Sequence, residues 1–558
     1  MRKTTFLFSA QLWILLALTL GVLPIALSST EMWDGIVNVH ALDNRDWQTL
    51  KETTLDSNWY LTYGGFLLAE KFQVVAGIPF WIFFKLWVVM SIVCIAIEVR
   101  CLAEKVFAVR QAASAWLPAL VFSFPIWYVF FSSTAMLGHL TSVWLGLLGY
   151  RLFTSRKSLP VLLGAVLITA SFQLPSNCAF ILALEVGRWY VRDKKVDWSY
   201  AGSASILLLS VAVFVTTRVV WPPVGTYVGY NRLLNPIQIS NWLTYAKYTA
   251  FFATWLLMLA PVTIMTWWFS RRRGTVSTGN TAAPHRERGK LLVLAFLMLS
   301  ACSTYILVGV GSPLFTLNIA DQSSLSAVLA SSSTKLPLSV WYGGWGARHL
   351  MLMMIPLVIL VVVMALRLTK HQSTGSSKPT AFVIACITTI TFGLCISAPG
   401  HWSKLERLAM EQSFVNALMK IAPPPSGEID FLMNRQAGYA SLHYETNYLL
   451  FRAYGSTKWS SILVPDHPSV INWTVVQRNN LRNVDLVLQP TLARVNLMQQ
   501  YDWAAQCQTI ARIISPTLSF WNVVWETEHA KQRLPPTIIE PLSTTCTNSN
   551  RFWRGVGK

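Results

Sequence analysis

The stretch Arg2-Lys3-Thr-Thr-Phe6-Leu-Phe-Ser-Ala-Gln-Leu-Trp-Ile-Leu-Leu-Ala-Leu-Thr-Leu-Gly-Val-Leu-Pro-Ile-Ala-Leu27-Ser-Ser-Thr-Glu31-Met-Trp-Asp34-Gly decides the class of this protein. Phe6–Leu27 is a continuous, almost wholly apolar run behind two cations, and about 20 such residues suffice to cross ~30 Å of hydrocarbon. A cleaved signal peptide has an apolar core of only ~7–15 residues followed by a small-x-small site. Ala26, Ser28 and Ser29 are small, but the run is too long, so it reads as a retained signal anchor with its N-terminus in the cytoplasm. Directly beyond it stand Glu31 and Asp34, whose i, i+3 spacing puts both on one face of a helix.

The rest of the 558-residue chain repeats the theme. It is 53% hydrophobic and only 13% charged, against roughly 25% charged residues in an ordinary soluble domain, and its mean hydropathy is +0.44. A soluble enzyme, a disordered chain and a fibre are excluded. Ten further apolar runs follow, at about 76–99, 112–132, 136–153, 159–174, 176–190, 200–220, 246–269, 291–311, 349–367 and 380–398. The pair on either side of Gln173-Leu-Pro-Ser-Asn177 is short, and Pro175 marks a tight turn between two spans rather than one over-long helix.

Charge placement orients the runs. The net charge is +20, a balance that suggests nucleic acid in a soluble protein. Here the cations gather in alternate short loops (Arg100, Lys105, Arg110; Arg151, Arg156, Lys157; Arg188, Arg192, Lys194, Lys195; the run from Arg271; Arg367, Lys370, Lys378) with no aromatic stripe among them. That is the positive-inside pattern, so no nucleic-acid partner is expected. Every second loop being basic fits about eleven transmembrane helices, N-terminus inside and C-terminus outside. The expected architecture is an α-helical polytopic membrane domain over 1–398, with a first outer loop at 28–77, and a C-terminal α+β extracytoplasmic domain over 399–558. In the tail, His401–Ile421 reads as an amphipathic helix, Ser461–Val464 and Val484–Leu488 as strands, and the region around Leu492–Ile514 as helices alternating with loops. Six of the eight cysteines lie in or beside apolar runs. Cys507 and Cys546 lie in the tail, where an oxidising compartment suggests one disulfide.

Several residues in outer segments carry possible chemistry. Seven acidic residues, among them Glu31, Asp34, Asp46 and Asp56, crowd the first loop and its exit. A carboxylate at the lip of a bundle serves as a general base when burial raises its pKa; it is equally an ordinary helix-end charge. Trp59 and Tyr60 suit either a sugar or a membrane interface. Arg218, Arg232 and the pair Arg348-His349 stand at non-cytoplasmic ends of spans, against the positive-inside trend. A guanidinium there holds a phosphate in bidentate fashion or snorkels to headgroups. Lys85 lies inside the second span, where an ionisable residue is a functional candidate.

This layout resembles the GT-C membrane glycosyltransferases. The likeness rests on a first span followed at once by an acidic motif, Glu31-Met-Trp-Asp34-Gly, a loop continuing to Asp56-Ser-Asn-Trp59-Tyr60, and about eleven spans with an outer C-terminal domain. It covers the architecture of the whole chain, whereas its motifs occupy about 30 residues. The resemblance implies an inverting transferase at the outer face of a bacterial cytoplasmic membrane, moving a sugar from a polyprenyl-phosphate carrier to a hydroxyl of a cell-surface glycan or lipid-linked acceptor. Asp34 would be the general base. Arg348, then Arg218, would meet the phosphate. Glu31, Asp46, Asp56, Trp59, Tyr60 and His349 would line the substrate. Some members use a divalent metal, but no second Asp-x-Asp stands in a later outer loop, so none is expected to be essential. A repeat-unit polymerase or ligase, a transporter or flippase, and a non-catalytic assembly protein are the alternatives; the absence of an internal repeat weighs against a transporter.

Overall fold

The protein is described by a computed structural model covering residues 2–26, 34–155, 157–192, 198–224, 253–271, 283–303, 351–370 and 378–420, with short pieces between 233 and 249 and between 429 and 546. Its helices are α1 (Arg2–Gly21), α2 (Asp34–Asp43), α3 (Trp47–Thr53), α4 (Tyr60–Ala76), α5 (Phe80–Lys105), α6 (Gln111–Ser114), α7 (Leu117–Phe122), α8 (Trp127–Phe131), α9 (Leu137–Phe153), α10 (Ser158–Ser171), α11 (Pro175–Arg192), α12 (Trp198–Val220), α13 (Ala260–Arg271), α14 (Ala283–Ala301), α15 (Met351–Lys370) and α16 (Lys378–Lys420). The strands are β1 (Ile429–Asn434), β2 (Trp459–Val464), β3 (Ile471–Gln477), β4 (Asn480–Leu486), β5 (Leu497–Asp502), β6 (Cys507–Ile514) and β7 (Ile538–Cys546). The chain divides into one unit of Met1–Ser29 with Asn44–His401, and a second of Thr30–Asp43 with Trp402–Lys558.

The first unit is helical. Among the described residues three helices are long and apolar enough to cross a membrane: Phe80–Lys105, Gly202–Val220 and Ala381–Trp402. Further apolar helices are shorter, including Ala10–Gly21, Ser158–Ser171 and Met351–Arg367. At 1.5 Å per residue α10, with its 14 residues, is about 21 Å long. Large apolar side chains stand at the surface, among them Leu159, Leu208, Leu209 and Val219, as lipid-facing positions do. Between α10 and α11 the chain turns at Phe172–Leu174, and Pro175 opens α11 at a position where a missing N–H costs nothing. The Asn177 amide closes this turn by donating to the carbonyls of Ser142 (2.9 Å) and Ser171 (3.0 Å). Helices α9 and α10 pack backbone to backbone: a Cβ on Gly149 would lie 2.9 Å from the Gly164 carbonyl oxygen, so only glycine permits the approach.

Two of the helices depart from the sequence expectation. The apolar run 112–132 reads as one span, yet it folds as the three short helices α6, α7 and α8. Pro118 begins one piece and Pro125 separates it from the next, and a proline interrupts the i→i−4 ladder. Backbone freed in this way needs partners away from water. The Trp127 indole donates to the Val121 carbonyl at 2.8 Å, and the Lys85 ammonium donates to the Phe131 carbonyl at the end of α8. Lys85 is therefore held within the helical unit by a backbone acceptor. It is 4% exposed, with its ammonium also 5.4 Å from the Phe84 ring centre. Trp116, Trp127, Phe130 and Phe131 fill the surroundings and are fully buried.

The second departure is α16. A span ending near 398 and a separate tail helix from His401 were expected, but one helix runs 43 residues with Pro399 inside it. Close packing at the proline holds it together. A Cβ on Gly400 would meet the Tyr128 ring at 2.7 Å, and the His401 imidazole sits 2.9 Å from the Gly21 carbonyl.

In the second unit five strands form a sheet in the order β2-β1-β5-β6-β7, and β3 pairs with β4 alone. β1 and β2 are parallel and the other pairs antiparallel. The helical expectation around Leu492–Ile514 is corrected: these residues give β5 and β6. The Ile510, Ile513, Ile514 spacing imitates a helix, but β-branched residues favour a strand where a partner is at hand. β7 supplies it, with Ile538 and Ile539 opposite Ile514 and Ile513.

Candidate functional site

The site is built where the end of α12 meets the loop before α4 and the turn between α10 and α11. α12 carries no charged side chain before Arg218. Arg218 is nonetheless only 4% exposed. A buried guanidinium needs donors satisfied and charge offset. It donates to the Gln173 carbonyl at 3.3 Å and lies 5.5 Å from the centre of the Phe214 ring, one turn back, a cation–π arrangement.

The loop is fixed against it by its own residues. Asn58 takes the left-handed conformation, φ 65°, which asparagine tolerates better than most side chains, and this ends the 3₁₀ turn at Leu55–Ser57. The Asn58 amide donates to the Trp221 carbonyl at 3.4 Å. The Asp56 carbonyl accepts the Val224 N–H at 2.7 Å. Tyr60, the first residue of α4, donates its hydroxyl to the Ala170 carbonyl at 2.8 Å. Burial pushes the Tyr60 phenol up to about 12, although the Arg218 charge pulls the other way. Gln173 ties the parts together: its side-chain oxygen accepts the Leu61 N–H.

Of the residues singled out in the sequence, the structure thus brings together Asp56, Tyr60 and Arg218. Trp59 is next door, stacked on His139 with ring centres 4.5 Å apart. The Asp56 carboxylate lies 4.0 Å from the Lys51 ammonium, a pair exposed enough to contribute little. Asp46 caps α3, accepting the Thr49 N–H at 3.0 Å and its hydroxyl at 2.6 Å, which is what an N-cap aspartate does in any helix. Asp34 begins α2 and belongs to the second unit. Glu31, Arg232, Arg348 and His349 lie outside the described residues, and the expected meeting of Asp34 with Arg348 lies there too. Among the described residues no group of His, Cys, Asp and Glu side chains could hold a metal ion.

Sequence reasoning missed Gln173 and His139. Both were legible as polar side chains inside apolar runs, because a buried amide or imidazole must find partners. It also missed the pairs at the other ends of these helices. Glu185, 3% exposed, accepts the Tyr150 hydroxyl at 2.9 Å and forms an ion pair with Arg188. Glu98 pairs with Arg151 at 2.9 Å.

Between α10 and α12 runs a groove of about 1640 Å³. Asn58, Tyr60 and Arg218 line one end. Val161, Val166, Ile206, Leu209 and Val213 line the middle, and Lys157 and Arg188 the other end. Such a surface suits a long apolar chain with an anionic head at an arginine. Compared with family models, curated proteins and solved structures, the chain matches none.

Proposed function

We propose that this chain is a membrane glycosyltransferase of the GT-C kind, taking a sugar from a polyprenyl-phosphate carrier at the outer face of a bacterial cytoplasmic membrane. The reading includes about eleven spans, a cytoplasmic N-terminus and an outer C-terminal α+β domain. The observation that supports it most is a buried guanidinium, Arg218, beside Tyr60 and Asn58 at one end of a lipid-sized groove with an apolar middle.

In the proposed reaction an acceptor hydroxyl oxygen attacks the anomeric carbon of the donor and inverts it. The bond from that carbon to the phosphate oxygen breaks, and the polyprenyl phosphate leaves with its electron pair. Asp34 takes the hydroxyl proton. Arg218, with Arg348, meets the charge growing on the phosphate, so the leaving group needs no proton. The apolar middle of the groove holds the carrier chain. A transporter would also use interrupted helices, but the interrupted stretch α6–α8 is filled by buried aromatic side chains, which favours a structural role for it.

The test is binding followed by transfer. Full-length protein in nanodiscs is titrated with a polyprenyl monophosphate. Arg218→Gln is expected to weaken binding on the order of ten-fold or more, as loss of a charge-assisted bidentate contact does. Asp34→Asn is expected to bind the carrier normally and to lose the change in lipid-linked glycans that the wild-type protein makes in cells. Wild-type glycans from Asp34→Asn would remove the general base, and unchanged carrier binding by Arg218→Gln would remove the phosphate site.

A further inference from the structure

The groove has a second polar end that the transferase reading does not use. Lys157 and Arg188 line it together with Ser155, Ser158 and Ser203. Arg188 is held in place by its ion pair with Glu185, which the Tyr150 hydroxyl also engages. Glu185 cancels the Arg188 charge, so Lys157, which is exposed and makes no ion pair among the described residues, leaves this end with a net positive charge. Both cations belong to basic clusters that the positive-inside pattern assigns to the cytoplasm.

Length decides whether one lipid can serve both ends. From Ser203 to Arg218 the α12 axis advances about 22 Å at 1.5 Å per residue. A single leaflet contributes only about half of the ~30 Å hydrocarbon layer. A phospholipid headgroup at Lys157 therefore leaves Arg218 unreached, and the two ends are separate headgroup positions along one apolar wall.

We propose that the Lys157–Arg188 end is a binding site for an anionic phospholipid of the cytoplasmic leaflet, with the phosphate between the lysine and the guanidinium, hydrogen-bonded by the serine hydroxyls, and the acyl chains against Val161, Leu162 and Ile206. Charge complementarity selects the occupant. Basic pockets between transmembrane helices on the cytoplasmic side take acidic headgroups, and a zwitterionic lipid offers the same phosphate with no net charge to match Lys157. The proposal rests on the groove and its charges, and it stands whether or not the protein transfers sugars.

The test is native mass spectrometry of the full-length protein released from detergent containing equal amounts of phosphatidylglycerol and phosphatidylcholine, with inorganic phosphate as a separate arm. The wild type is expected to retain phosphatidylglycerol over phosphatidylcholine by on the order of five-fold, the effect of one cation near a lipid phosphate. Lys157→Glu, an exposed substitution that leaves the fold intact, is expected to abolish the preference, and Arg218→Gln to keep it. Equal retention of the two lipids by the wild type, or an unchanged preference in Lys157→Glu, overturns the proposal. So does loss of the preference in Arg218→Gln alone, which would put the lipid at the other end. Displacement of phosphatidylglycerol by inorganic phosphate overturns it as well, because the site would then be one for a free anion.

Discussion

Arg218 donates to the backbone carbonyl of Gln173 at 3.3 Å, and the side chain of the same glutamine accepts the N–H of Leu61. The turn between α10 and α11 thereby positions both the guanidinium and the start of α4. Gln173→Ala leaves the Leu61 N–H without this acceptor in a partly buried place, which costs about 1 kcal/mol. The thermal midpoint of the purified protein is expected to fall, and Gln173→Glu, which keeps an acceptor oxygen, to recover part of the loss. An unchanged midpoint in Gln173→Ala would show that the turn is held by other contacts.

Gly138 lies against the same cluster. A Cβ there would run into the Thr62 hydroxyl and the Gln173 amide, both buried. Gly138→Ala is expected to destabilise by about 1–3 kcal/mol, the usual cost of forcing atoms into a filled core. Gly64, also helical, has nothing within 4 Å of its added Cβ, so Gly64→Ala is expected to stabilise by about 0.5–1 kcal/mol. Denaturation midpoints of the two variants should move in opposite directions; a shared direction would contradict the packing described.

The Tyr60 phenol gives a pH signature. Its folded value is raised from 10.0 to about 12 by burial. A raised value means that the folded state holds the proton more tightly, so this contribution to stability is complete below pH 10 and is lost as the pH climbs towards 12. Tyr60→Phe removes the hydrogen bond to Ala170, about 1 kcal/mol, and removes this alkaline loss. The stability gap between wild type and Tyr60→Phe is expected to narrow above pH 10. A constant gap across that window would mean that the phenol titrates as it would in water.

Two residues of this cluster stand out in the sequence for a physical reason. Arg218 and Tyr60 break strong patterns, the one a cation closing an apolar run, the other an aromatic beside turn residues. Gln173 and His139 were passed over because a polar residue in an apolar run carries no mark of its partner, and their partners lie more than a hundred and about eighty residues away in Leu61 and Trp59. The apolar runs located the three long helices well, since length and hydropathy are local properties. They failed at 112–132 and at β5–β6. There the outcome depends on what lies opposite, the Lys85 ammonium in one case and the β7 strand in the other.

The tail yields a chemical prediction. The β6–β7 register sets Cys507 opposite Cys546. Opposed residues on antiparallel strands have Cα atoms about 4.5–5.5 Å apart, inside the ~4.4–6.8 Å that a disulfide accepts. The pair is expected to resist a membrane-impermeant maleimide until reduced, and Cys507→Ser to lower stability by about 2–4 kcal/mol. Labelling of both thiols without a reductant would exclude the bond.

The capped break at α8 bears on how the protein is made. Each of α6, α7 and α8 is six residues or fewer, so none satisfies its own backbone in hydrocarbon. Their free backbone groups depend on partners from neighbouring elements. Because α5 precedes α6–α8 in the chain, Lys85 is made before the Phe131 carbonyl that accepts from it. A neutral residue at position 85 would therefore be felt first as a defect of biogenesis, before any catalytic step is reached.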